Sequence, residues 1–511
     1  MNSKHFAKYF TLYALIAAAI LACYQIYLEH GRINDDGVLY IEAARLFAAG
    51  EWSQGYAIYP WPFYSLLIAA MHKLTGLNLQ YSGHLLAILF FTLSTYMLIK
   101  IIALAEGSKG VILAGLVLLF TNSYVVVNIL TQVMRDQGYW AFFLMSIYFF
   151  IHFYQTNRWR DAISWQLSAI VAALFRIEGI VFLALLPAVL LWQPEFSIKQ
   201  KLIRLLQAYI LNLLLLALLI CVLLAKPSLH LSDLGRLNDI VTVLQGSFTT
   251  LVHGLNQKAH VMGQQVLGSF LDGYALQGLL LTLIVIIFGK VGGASGWLAL
   301  IIKLAARPFK LDQYQPLREV MPVLRWALIL AVLNISVILL HQFIAPGRLA
   351  IPAGLILIIM ASFSLFSLYE WIKVKRWQTD WVKMMFALFV VVWLVAHVLI
   401  NVKPRPAGYN EEQQAVAWIK AHIKPNETVF YDQARTRYYA GEKFTERGIS
   451  GWDAMNKALS NGSLLGYDYI VLEMSERAPE REAFLATHIP HQEVASIKSN
   501  KKLSFKIYKK P

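Results

Sequence analysis

A few charged residues stand at the ends of long apolar runs, where charge is costly to desolvate and therefore worth a chemical reading. Asp35 and Asp36 follow the first apolar run, and Asp136 sits beside Arg135 after a later one. A carboxylate at such a boundary can act as a general base on an acceptor hydroxyl, or hold a polar substrate. Arg135 next to Asp136 favours the ionised acid. Arg348 closes a short turn, with His341 seven residues earlier. A guanidinium at that level suits a phosphate, and equally a lipid headgroup. Arg176-Ile-Glu178 interrupts an apolar stretch and reads either as a structural ion pair or as a substrate contact.

The elements that position these residues follow from composition. The 511 residues are 58% hydrophobic and 15% charged, with a mean hydropathy of +0.54. A spanning helix needs roughly 20 apolar residues, and such runs recur from Phe6 to Asn401. We expect a polytopic α-helical membrane protein. The net charge of +15 lies in short loops between apolar runs, which is the positive-inside pattern and not a nucleic-acid footprint. The two cysteines, Cys23 and Cys221, lack metal-ligand spacing and read as buried thiols. Although Ile20-Leu21-Ala22-Cys23 resembles a lipoprotein cleavage box, the many runs that follow favour an uncleaved first span with a cytoplasmic N-terminus.

The expected spans are 6–28, 81–103, 111–130, 138–155, two short ones within 165–192, then 205–225, 278–288, 326–340, 349–368 and 381–401, about eleven in all. The first outer loop, 29–80, carries an amphipathic helix bearing Leu39, Ala43 and Leu46, then Trp52, Tyr56 and Tyr59 and the Pro60-Trp61-Pro62 brake. These aromatics read as an interface belt sooner than as a sugar platform. Phe63–Leu74 is too short to span and is placed on the membrane surface. With Lys100 and Lys109 cytoplasmic, Asp136 then returns to the side of Asp36. The loop 226–274 offers surface helices at Asp239–His253 and Gln257–Phe270. The expected domains are thus a membrane domain, 1–402, and an extracytoplasmic α/β domain, 403–511. In the latter, Glu411–His422 and Glu480–Thr487 read as helices, and 428–431, 467–473, 494–498 and 503–508 as strands.

In their order, these parts resemble the GT-C superfamily of membrane glycosyltransferases, especially the branch with protein O-mannosyltransferases and the lipid A aminoarabinose transferase. The resemblance runs over roughly the first 200 residues and resumes at Arg348. It is carried by Asp36-Gly-Val-Leu-Tyr40-Ile-Glu42 with Gly50-Glu-Trp52, by Tyr59-Pro-Trp-Pro62-Phe-Tyr, by Arg135-Asp136 and by Arg348-Leu-Ala-Ile-Pro352. It implies a transferase that uses a polyprenyl-phosphate-linked sugar at the outer face of the cytoplasmic membrane, with a lipid, glycan or protein acceptor. By position, Asp36 is similar to the family's first-loop catalytic acid and Asp136 to its second-loop partner. Arg348 resembles the phosphate-contacting position. Asp35, Tyr40, Glu42, Arg135, Arg176, Glu178 and His341 complete the candidate substrate-binding set. Two departures stand out: Pro60 and Trp61 replace the Glu-Lys of the aminoarabinose branch, and Leu349 replaces the Tyr after the arginine.

No cofactor is required by these motifs. Carboxylates of this kind can hold Mg²⁺ or Mn²⁺, although no ligand spacing demands it. A transporter or flippase of a lipid-linked substrate is the competing class; it predicts ionisable residues at the midplane and repeat symmetry, whereas the charges here gather at one face and no repeat is found. A ligase moving whole glycans would rely on cations in a large outer loop.

Overall fold

The computed structural model describes residues 3–225, 248–268, 270–374, 380–405, 410–444, 451–476, 478–498 and 503–511. The expected surface helix Asp239–His253 begins outside these residues and is seen only from Phe248, within a Phe248–Met262 helix. Contacts divide the chain into two units. One comprises 1–25, 86–131 and 135–402, the other 26–85, 132–134 and 403–511.

Among the described residues, seven helices are long and apolar enough to cross a membrane: Tyr9–Leu28, Leu79–Leu104, Ile198–Val222, Asp272–Ala294, Met321–Gln342, Gly347–Lys373 and Trp381–Val402. Each overlaps an expected span, with ends that differ by up to seven residues. The other four expected spans form shorter or less apolar helices. Lys109–Phe120 gives way at Thr121-Asn122-Ser123 to a π-helical stretch, Tyr124–Ile129. Asp136–Thr156 is continuous, and Trp159–Phe175 is separated from the apolar Ile177–Trp192 stretch by Arg176. Phe63–Thr75, expected on the membrane surface, is a helix of 13 residues.

The first unit is organised around the Gly347–Lys373 segment, 83% of whose apolar window is buried, against 6% for Ile198–Val222. Its Ala350, Ala353, Gly354, Ala361, Ser362 and Ser364 are small and buried, so neighbouring helices approach closely without a side chain between them. A Cβ at Gly354 would lie 2.5 Å from the Ala294 carbonyl oxygen, so only glycine admits that helix end. Polar side chains in these helices are spent on backbone groups: Asn122 Nδ2 donates to the Ala294 carbonyl at 2.8 Å, and Gln25 Nε2 to that of Asn401 at 2.7 Å. Cys23 and Cys221 are exposed, not buried as expected. They lie on outward helix faces, where lipid in place of protein supplies the apolar surroundings a thiol accepts.

The second unit combines three helices of the first outer loop, Asp35–Ala49, Trp52–Ile58 and Phe63–Thr75, with the C-terminal segment. The latter holds a four-stranded sheet, β1 (Val429–Tyr431), β2 (Tyr469–Ser475), β3 (Gln492–Lys498) and β4 (Leu503–Lys509), in the order β1-β2-β4-β3. β1 runs parallel to β2, and the other pairs are antiparallel, with a bulge between Glu493 and Ala495. Side-chain alternation gives the sheet two cores. Ile470, Leu472 and Met474 pack with Met455 and Leu485 on one face. Tyr469 and Val471 pack with Ala415, Val416 and Ile419 on the other. The expected antiparallel pair at the C-terminus is present.

β1 is followed by Asp432, whose buried carboxyl group accepts the Glu473 N–H at 3.1 and 3.2 Å. Burial, with the nearby Glu473 carboxylate, pushes this acid from 3.8 up to about 8. In the unfolded chain it titrates near 3.8, so its contribution to stability is complete below that pH and is lost as pH rises towards 8. The Asp432→Asn variant removes the titration. Its unfolding midpoint should gain on wild type between pH 4 and 8, by ~2 kcal/mol or more at the upper end. A constant difference across that range contradicts the assignment.

Candidate active site

In the first unit, the site grows from two helix ends. Arg135 precedes the Asp136–Thr156 helix and Asp136 opens it, a placement in which the helix dipole favours the carboxylate. The Trp159–Phe175 helix stops at Arg176, whose backbone is extended, and a single 3₁₀ turn carries Glu178. The two helices approach at Gly138, where a Cβ would strike the Phe175 ring. Phe175 in turn stacks on Phe142 and meets Phe90 edge-on, at 5.8 and 5.1 Å between ring centres.

This packing brings Asp136 and Arg176 together across 40 positions of sequence. Arg176 Nη1 donates to Asp136 Oδ1 at 2.6 Å, while Nε and Nη2 grip the two Glu178 oxygens at 3.3 and 2.9 Å. All three groups are largely buried. A forked guanidinium shared by two carboxylates is geometrically specific, and removing one member would strand a buried charge. Asn334 Nδ2 donates to the Glu178 carbonyl at 3.1 Å and ties the turn to the Met321–Gln342 helix. Arg176 and Glu178 thus form an ion pair. Asp136, which joins it, was not paired with Arg176 in the sequence reading.

Two tyrosines join the cluster without having been singled out. Tyr139, one turn beyond Asp136 and buried, lies within electrostatic reach of Asp136, Arg176 and Glu178. Tyr124 lies within reach of both Asp136 and Arg348. Gly347 packs against its ring so closely that a Cβ would meet the hydroxyl. Arg348 is half-buried on the 3₁₀ turn Gly347–Ala350. Arg135 acts electrostatically on Glu178. Arg176 is thus paired with both carboxylates, with Arg135 within electrostatic reach of Glu178. His341 is exposed in the last turn of the Met321–Gln342 helix.

The remaining candidates belong to the second unit. Asp35 and Asp36 occupy the first turn of the Asp35–Ala49 helix, Asp35 exposed and Asp36 half-buried. Tyr40 is buried edge-on against Tyr59 and Tyr64, at 4.9 and 5.3 Å. Trp52 and Tyr56 are exposed, so the aromatic group foreseen in the sequence is split. Glu42 is buried and accepts from Arg45 Nε at 3.0 Å and from the Phe444 N–H at 3.2 Å. Arg435 Nε lies 3.3 Å from Asp35 Oδ1. Among the described residues, no group of three or more His, Cys, Asp or Glu is arranged to hold a metal ion.

The apolar helices and the small C-terminal sheet define a multi-pass α-helical membrane protein with an α/β appendage. No family model matches the chain, and no curated protein does. Among solved structures, it is similar to ArnT from Cupriavidus metallidurans bound to undecaprenyl phosphate, at 13% identity over 97% of each chain, with a TM-score of 0.41. It is also similar to the archaeal oligosaccharyltransferase AglB from Archaeoglobus fulgidus in complex with an inhibitory peptide and a dolichol-phosphate. There the identity is 11%, over 92% of this chain and 70% of that one, with a TM-score of 0.46.

Proposed function

We propose that the chain is a membrane glycosyltransferase that moves a sugar from a polyprenyl-phosphate carrier to a lipid, glycan or protein acceptor at the outer face of the cytoplasmic membrane. The observation that carries this reading is the buried Arg176 fork on Asp136 and Glu178, with Arg135 within electrostatic reach of Glu178 and Tyr124 within reach of both Asp136 and Arg348. When the bond between the anomeric carbon and the phosphate oxygen breaks, the polyprenyl phosphate leaves with added negative charge. Preorganised guanidiniums stabilise that charge best where water is scarce. Arg348, half-buried and held by the Gly347–Tyr124 contact, is the group we assign to the phosphate.

Asp136 has a different task. Buried and locked to Arg176, it is poorly disposed to collect a substrate proton, and it serves to fix the guanidinium. Proton removal from the acceptor hydroxyl falls to Asp36, half-buried at a helix start, in keeping with the first-loop motif it carries.

Envelope lipids and proteins from cells with and without the gene test the proposal. Mass spectrometry should show a hexose- or pentose-sized increment missing from one acceptor, with the polyprenyl-phosphate sugar accumulating. Identical glycan profiles would refute it. The transporter reading draws on the helix break at Arg176; it predicts that transfer fails in cells while membranes made permeable to donor recover it.

A further inference from the structure

Residues 435–444 of the C-terminal segment contact the Asp35–Ala49 helix at Asp35, Glu42 and Arg45, and Ile33 just before it. At the start, the Ile33 N–H donates to Tyr439 Oη at 2.8 Å, and Asp35 meets Arg435. Arg435 is itself anchored, with Nη2 2.7 Å from Oε1 of the buried Glu412 and 3.8 Å from Glu473 of β2. Two turns further on, the Phe444 main chain takes both partners of an ion pair: its N–H donates to Glu42 and its carbonyl accepts from Arg45 Nη2 at 3.2 Å. Gln80 completes the frame, donating to the Gly31 carbonyl at 3.0 Å and accepting from Tyr438 Oη at 3.3 Å. A helix of 15 residues is marginal by itself. The contact between Arg435 and exposed Asp35 is also weak in isolation. Orientation is fixed because contacts at both ends come from one short stretch, 435–444, backed by the sheet.

We infer that Arg435 and Tyr439 are positioning residues for the first-loop helix, and that the C-terminal segment exists to hold Asp36 in line with its acceptor. This rests on the transferase reading for its consequence, though not for its geometry. Arg435 touches no reacting atom; it acts through Asp35 and the helix start.

The test uses the full chain in lipid nanodiscs. Arg435→Gln, Tyr439→Phe and the double variant are compared by hydrogen exchange without substrate. Tyr439→Phe deletes a single hydroxyl and leaves every charge in place, so it remains informative should Arg435→Gln disturb Glu412. Amides of residues 35–44 should exchange about tenfold faster in the double variant and measurably faster in Tyr439→Phe, while those of β2 and β4 keep wild-type protection. Unchanged exchange at 35–44, or equal acceleration in the sheet, would overturn the assignment. In turnover, Arg435→Gln should lower kcat roughly 10- to 100-fold with the donor KM within about twofold, and Arg435→Lys should recover part of kcat. A loss confined to KM would contradict positioning. Because exchange is read without donor, it stands or falls separately from glycosyl transfer.

Discussion

Asp36→Asn should lower sugar transfer by roughly 10²- to 10⁴-fold, the range in which a positioned general base contributes. The substitution is nearly isosteric, and Asp36 sits half-buried in the first turn of a helix. Loss of one acid there reduces the favourable interaction with the helix dipole by about 0.3–1 kcal/mol. Folding and donor binding should therefore survive while turnover does not. Asp35→Asn is the comparison: it weakens the Arg435 contact that positions the helix, so it should lose no more than the roughly 10- to 100-fold expected of Arg435→Gln, and less than Asp36→Asn. Unchanged turnover in Asp36→Asn removes that residue from the mechanism, whatever becomes of the fold.

Arg176→Ala has the second largest expected effect, and it acts on stability and activity together. The guanidinium is the shared partner of Asp136 and Glu178, all three largely buried. Its removal strands two buried carboxylates without their shared partner, at a cost of about 3–5 kcal/mol. The informative variant is the double, Arg176→Gln with Asp136→Asn, in which no buried charge is stranded at the Asp136 side. Thermal stability should recover by more than half relative to Arg176→Ala, whereas transfer should remain depressed. Equal stability of single and double variants would show that the fork is not a coupled unit.

Apolar length and loop charge made the seven long helices readable, because in lipid a hydrophobic run has little choice but to be helical. Glu411–His422 was equally readable from its period, and β2 from its run of buried residues. The stretch 111–130 was not. The Asn122 side chain serves the Ala294 backbone, 172 positions away, and the helix ends just before it instead of continuing to 130. The span expected at 278–288 erred in the opposite direction, stopping before the glycines at 289, 292, 293 and 296. They blur a helix end in sequence, yet the helix runs on to Ala294, with the Trp297 ring packed where a Cβ on Gly292 would be.

The same limit applies to the candidate site. Asp136, Arg176 and Glu178 could each be picked out as isolated charges in apolar surroundings. That one guanidinium serves both acids depends on the Gly138–Phe175 approach, a contact between helices which no periodicity encodes. Tyr124 and Tyr139 gave no signal, since a tyrosine at such spacing is usually core. Arg435 and Tyr439 were hidden by distance: their partners lie some 400 positions earlier, in a different kind of segment.

The most direct measurement is on purified protein in nanodiscs, supplied with synthetic polyprenyl-phosphate hexose or pentose and an extract of envelope acceptors. Release of polyprenyl phosphate should accompany appearance of the sugar in the acceptor fraction, and both should fall together in Asp36→Asn and Arg348→Ala. Donor that stays intact with every sugar tried, or release that persists undiminished in both variants, would contradict glycosyl transfer at these residues.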